Sequence, residues 1–189
     1  MKKFLLDYGL KVRLPILLFV VIITFAVTYY VSYAERNNIG YQPEQPIKFS
    51  HKVHAGDMKI DCKYCHISAD KTRNASIPTV SVCMGCHTLA RKDMPEIQKL
   101  TEYYDQNKPL LWNRIHRVPD FVYFNHSVHV NKGIDCANCH GDVQNMEVIG
   151  QVKNLNMGAC LDCHRNAHAK LPNLPNINNG PDYCSTCHR

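Results

Sequence analysis

Apolar and polar positions are unevenly divided along the chain. No charged residue occurs from Leu14 to Tyr33. Twenty helical residues rising about 1.5 Å each cover the roughly 30 Å of a bilayer's hydrocarbon core, so this run predicts one amino-terminal transmembrane helix. Lys2, Lys3, Lys11 and Arg13 precede it, and Glu35 and Arg36 follow. By the positive-inside rule the amino terminus stays cytoplasmic and the remainder crosses the membrane. Ser32-Tyr33-Ala34 offers a small-x-small cleavage site, but the apolar run exceeds the roughly 7–15 residues of a signal-peptide core, which favours a retained anchor.

Beyond the anchor, sustained periodicity is scarce. Residues 36–47 are polar and carry Pro43 and Pro46, which reads as a connector. Between Met94 and Asn107, Pro95 near the start and Ile97, Leu100 and Tyr104 at helical spacing predict one short amphipathic helix. The apolar run from Ile77 to Val82 reads as extended. The expected fold is a few short helices in a mostly irregular chain. Its segments are a tail and anchor over 1–34, a linker over 35–47 and a single domain over 48–189.

Two segments of that domain resemble each other. Phe49-Ser50-His51-Lys52-Val53-His54 precedes Cys62, and Phe124-Asn125-His126-Ser127-Val128-His129 precedes Cys136. Each is followed by two Cys-x-x-Cys-His motifs, at Cys62–His66 and Cys83–His87 in the first copy and at Cys136–His140 and Cys160–His164 in the second. A duplicated unit, over about 48–92 and 123–168, accounts for the layout. A fifth motif, Cys184–His188, stands alone at 182–189 after the Pro- and Asn-rich stretch 171–181.

The five motifs use all ten cysteines: Cys62, Cys65, Cys83, Cys86, Cys136, Cys139, Cys160, Cys163, Cys184 and Cys187. Two thiols three positions apart can each add to one vinyl group of a haem, and the adjoining histidine reaches the iron. Disulfides or zinc ribbons would also suit paired cysteines, but neither requires a histidine after every second one. The reading is five haem c groups. Covalent attachment of haem c takes place outside the cytoplasmic membrane, which agrees with the orientation of the anchor and places the domain in the periplasm of a bacterium.

His66, His87, His140, His164 and His188 would be the proximal ligands. His51, His54, His126 and His129, spaced i, i+3, and His116 would supply the second imidazoles. His168 reads as exposed or bonded to a propionate. Met157 and Met146 are the competing axial ligands, Met157 the preferred one, against an ordinary packing role. Irons with both axial positions filled carry electrons and make no bonds, so the chain reads as an electron carrier and not an enzyme. A multihaem reductase would need an open iron and often has lysine in place of a motif histidine.

Composition and charge alter the picture in two ways. About 31 residues per haem are too few for an ordinary side-chain core, so porphyrin faces must supply most of the burial. The formal charge of +6 falls to about +1 oxidised and about −4 reduced once propionates and iron are counted. The basic sequence is therefore no sign of nucleic-acid binding.

The words between the motifs carry a family resemblance. Phe-Ser-His-Lys-Val-His, Cys-Lys-Tyr-Cys-His, Trp-Asn-Arg-Ile-His (112–116), Val-Tyr-Phe-Asn-His-Ser-Val-His (122–129) and Cys-Leu-Asp-Cys-His-Arg (160–165) follow an amino-terminal membrane helix. In this order they resemble the pentahaem cytochrome c subunit (ActA) of bacterial alternative complex III, a class III-like multihaem cytochrome. The resemblance implies an electron-transfer subunit of a quinol-oxidising respiratory complex. Its partners would be an iron-sulfur subunit related to molybdopterin oxidoreductases, polytopic quinol-binding subunits and a monohaem cytochrome c or terminal oxidase. A membrane-anchored NapC/NirT-type quinol dehydrogenase has a similar layout, but commonly with four haems and a methionine two residues after the first motif's histidine. Here Ile67 and Ser68 follow His66.

Overall fold

The computed structural model describes residues 7–188, and for 33–37 the backbone alone. Lys2 and Lys3 of the expected cytoplasmic tail lie outside the described residues. The chain forms two units, divided between Asn38 and Ile39.

In the first unit, helix α1 runs from Leu14 to Asn37. Pro15 sits in its first turn, where the missing N–H costs nothing, and Asn38, at φ 46°, ends it in the left-handed conformation. A wider turn over Gly9–Arg13 leads into it. The stretch Gly9–Ser32 has a mean hydropathy of 2.4 and is long and apolar enough to cross a membrane. Phe19 and Phe25 are among its exposed apolar side chains.

The second unit has no strand among the described residues. Its α-helices of five or more residues are α2 (Val80–His87), α3 (Pro95–Asp105), α4 (His126–Val130) and α5 (Met157–Arg165). The run from Ile77 to Val82, read above as extended, turns helical at Val80. The motif at Cys83 draws its preceding residues into the same helix, because two cysteines and a histidine at i, i+3 and i+4 share a face only in helical geometry. The amphipathic helix expected between Met94 and Asn107 is α3, and its Leu100 is buried.

The apolar core is small. Ile47, Met84 and Leu100 form one buried cluster, flanked by Val80, Leu110 and Trp112. The segment read as a linker departs from that expectation. Its first residues, to Asn37, belong to α1, and residues 39–47 are part of the second unit. Gly40 N donates to Gln151 O at 2.8 Å, Gln45 Nε2 donates to Asn113 O at 2.9 Å, and Ile47 is 6% exposed. The two prolines disfavour helix here, which leaves the segment's polar groups to bond to other loops.

Gln151, 1% exposed, ties three segments together. Its Oε1 accepts from Arg117 N at 3.1 Å, its Nε2 donates to Lys153 O at 3.1 Å, and its carbonyl holds Gly40. Truncation strands a buried N–H and a carbonyl, so Gln151→Ala is expected to destabilise the haem-loaded domain by about 1–3 kcal/mol. Chemical denaturation followed at the Soret band checks this.

The two repeats share backbone detail. Asp61 caps the turn Cys62–Cys65 by accepting from Lys63 N at 2.7 Å, and Asp135 accepts from Ala137 N at 2.7 Å before the turn Ala137–His140. Two residues before these aspartates, Lys59 (φ 57°) and Gly133 (φ 78°) both adopt positive φ. The repeats also grip each other. His126 N and Ser127 N donate to Arg73 O and Thr72 O, each at 3.1 Å, while Lys52 N donates to Met146 O at 3.0 Å. The histidine turn of each copy thus docks on the loop that follows the first motif of the other copy. Gly56 lies so close to Gln144 O that a Cβ there would collide with backbone.

Candidate haem sites

Each motif is a short helical turn. His66, His140 and His188 each return their backbone N–H to the first cysteine's carbonyl at 2.9 Å, which sets both thiols and the imidazole along one side. No two of the ten cysteines are joined in a disulfide. Among the described residues no three His, Cys, Asp or Glu side chains converge on a metal-sized point. A tetrahedral zinc site would require such a cluster, so the zinc alternative has no support in the geometry.

The histidines instead stand in opposed pairs. Ring centres are 6.1 Å apart for His54 and His87, 6.1 Å for His129 and His164, and 6.4 Å for His126 and His140. Two imidazoles bonded through Nε2 to opposite faces of one metal, at about 2.0 Å each, place their ring centres about 6.3 Å apart. Each of these pairs joins a motif histidine to one from the Phe-x-His-x-x-His segment of the same repeat. In register, His51 corresponds to His126 and so matches His66, with which it interacts electrostatically.

The ring tethers fit the same use. Nδ1 of His54, His66, His87, His126, His129, His164 and His188 faces the carbonyl of Ser50, Ser76, Ala90, Arg73, Asn125, Pro181 and Phe121 respectively, at 2.6–3.3 Å. A carbonyl cannot donate, so Nδ1 carries the proton and Nε2 keeps its lone pair for a metal. Phe49 and Phe124 brace the paired histidines identically. Each phenyl stands edge-on to the first ring (4.9 and 4.8 Å) and stacks on the second (4.5 and 4.6 Å).

Burial pushes His51 and His140 down to about 4, reinforced by neighbouring histidines, His66 first for His51 and His116 first for His140. Burial likewise lowers His116 and His129. Neutral imidazole is the form that binds metal. The thiols show which motifs are neighbours. Burial raises all of those that follow, and the adjoining thiols add to it: Cys65 feels Cys86, Cys136 contacts Cys62 and is pushed up to about 11, Cys139 feels Cys163, and Cys160 feels Cys187. The spatial order is second, first, third, fourth, fifth.

His116 stands beside the third motif: its ring meets His140 edge-on at 4.3 Å, and its Nε2 is buried without a protein partner, which leaves that nitrogen for a metal. His168 is exposed, as expected. Met157 is 64% exposed at the start of α5. The tethering carbonyls had no signature in sequence, since any residue supplies one. Gln151 was likewise missed.

Two family descriptions match the chain. Residues 29–110 match the class III cytochrome c family, and residues 122–189 match cytochrome c7 and related cytochromes c. A relative from Nitratidesulfovibrio vulgaris (strain Hildenborough), the multihaem cytochrome c subunit of a menaquinone reductase, is 30% identical, with 78% of each chain covered. The chain is a multihaem cytochrome c. The boundary between the two matched segments falls between the repeats of this cytochrome, each segment containing one Phe-x-His-x-x-His and its motifs. Covalently bound haem c is the cofactor that membership implies, and the paired, tethered imidazoles fit it.

Proposed function

We propose that this cytochrome is the electron-carrying subunit of a membrane-bound, quinone-linked oxidoreductase and holds five haem c groups. The ten motif cysteines would form the thioethers. His66, His87, His140, His164 and His188 would be the proximal ligands, with His51, His54, His126 and His129 opposite the first four in the order His66, His87, His140 and His164, and His116 the remaining distal ligand. The observation that carries this reading is the set of opposed imidazoles 6.1–6.4 Å apart. Bound haem iron supplies reversible one-electron exchange.

The chain's own part is to hold both imidazoles neutral, orient them through carbonyl tethers and keep successive motifs adjacent. Motif turns that share neighbouring thiols leave no room for thick protein between sites, as a relay requires. The protein by itself transforms no substrate.

The menaquinone reductase relative supports a quinone-linked complex; α1 would be its single-pass anchor, and the haem domain would lie in the periplasm. The partners would be an iron-sulfur subunit related to molybdopterin oxidoreductases, polytopic quinone-binding subunits and a monohaem cytochrome c. Such an assembly is shared by the alternative complex III reading, in which quinol is oxidised. Extraction in mild detergent is expected to recover the cytochrome with an iron-sulfur subunit and polytopic partners, and the complex to exchange electrons with a menaquinol analogue. Recovery of a self-sufficient cytochrome that oxidises quinol unaided would replace this proposal with the NapC/NirT-type reading.

A further inference from the structure

The distal histidine of the third motif is held by a loop of the other repeat. Arg73 O accepts from His126 N at 3.1 Å and also from His126 Nδ1 at 3.0 Å. The side chain of the same residue reaches back across the junction. Its Nε donates to Phe124 O at 3.1 Å, and its guanidinium carbon lies 4.5 Å from the centre of the Tyr123 ring. Phe124 is the ring that braces His126 edge-on, and Tyr123 N is fixed on Cys187 O at 2.8 Å. A planar guanidinium can stack on an aromatic face and bond a carbonyl at once, which an ammonium on a flexible stem does poorly. Arg73 thus grips His126 by its carbonyl and, through its side chain, the two residues that set where Phe124 and Asn125 lead.

Among the three opposed pairs above, this one has the most nearly parallel rings. The planes of His126 and His140 differ by 3°, against 31° for His129 and His164 and 62° for His54 and His87. The reciprocal contact between the repeats is built differently. Lys52 N on Met146 O corresponds to Ser127 N on Thr72 O, so Glu147 stands where Arg73 does. Its carboxylate accepts from Ser50 Oγ at 2.7 Å and pairs with Lys52 Nζ at 3.4 Å.

We propose that Arg73 is the positioning residue of the third haem: its side chain locks His126 parallel to His140, so that a residue of the first repeat sets the potential of an iron held by the second. This rests on the five-haem reading and ligand pairs given above. A firm Nδ1–H···O bond makes the imidazole a stronger donor to ferric iron and so lowers the potential.

The test uses the intact, haem-loaded protein, with haem counted by intact mass. Near-parallel imidazoles give low-spin ferric iron a rhombic electron paramagnetic resonance signal, and loss of that signal in His126→Met assigns it to the third haem. Arg73→Lys keeps the charge and removes the planar fork. It is expected to shift the rhombic signal toward the strongly anisotropic type of twisted imidazoles and to raise the potential of that haem, the other haems keeping theirs. Tyr123→Ala should do the same, and Tyr123→Phe should change nothing.

Five haems with an unchanged signal and potential in both Arg73→Lys and Tyr123→Ala would overturn the proposal and leave the electron-carrier reading intact. Equal shifts at every haem would also overturn it, by showing general loosening in place of positioning. A rhombic signal that survives His126→Met would refute the pairing of His126 with His140. Fewer than five haems in the unaltered protein would refute the five-haem reading itself.

Discussion

Produced in cells that cannot attach haem, the second unit is expected to remain unfolded. Its buried apolar side chains among the described residues are Ile47, Ala69, Met84, Leu100, Ile115, Ala167 and Leu171. Three of these make the one buried cluster, beside α2 and α3. Ordering a residue costs about 1–2 kcal/mol of backbone entropy, and so small a core cannot offset that over the length of this unit. Porphyrin faces and thioether cross-links must make up the difference. Far-UV circular dichroism and limited proteolysis of the haem-free chain check the expectation. A cooperative thermal transition in that material would show the protein core to be sufficient.

The second large effect concerns the axial pairs. His129→Met is expected to raise the reduction potential of the haem at Cys160–His164 by a sizeable part of the roughly 0.8 V that axial ligands command. Thioether sulfur donates less to ferric iron than imidazole and so favours the reduced state. The potentials of the other haems should shift far less, because His129 opposes His164 alone. His168→Met, at an exposed ring, should leave every potential nearly unchanged. Potentiometric titration with a near-infrared spectrum decides the matter. A comparable rise in His168→Met with none in His129→Met would reverse the two assignments.

Much of the site was legible in the chain because its chemistry is local. A Cys-x-x-Cys-His motif needs one helical turn, and Phe-x-His-x-x-His needs another, so five residues and six residues respectively contain the whole specification. The duplicated segments even share their caps, Asp61 with Asp135 and the Ser50 and Asn125 side chains that accept from Val53 N and Ser127 N. The helix α3 was legible for the same reason. Which motif His116 would serve was not, because a count of histidines against irons carries no direction.

The linker shows a related limit. Residues 39–47 have the composition of a solvated connector, and nothing within them indicates that Gly40 meets Gln151 or that Gln45 meets Asn113. Those contacts join positions far apart in sequence. Their partners are backbone carbonyls and a single buried amide, which leave no pattern in a sequence.

From its sequence alone this protein is a haem c carrier with an apolar amino-terminal helix and a duplicated two-site unit, since covalent attachment and helical turns are dictated by residues within a few positions of one another. Tertiary structure decided which imidazole opposes which, that the two repeats clasp each other's loops, and that the motifs run second, first, third, fourth, fifth in space. Those outcomes depend on how distant segments fill the volume around the porphyrins, and packing of that kind is set by the whole chain at once.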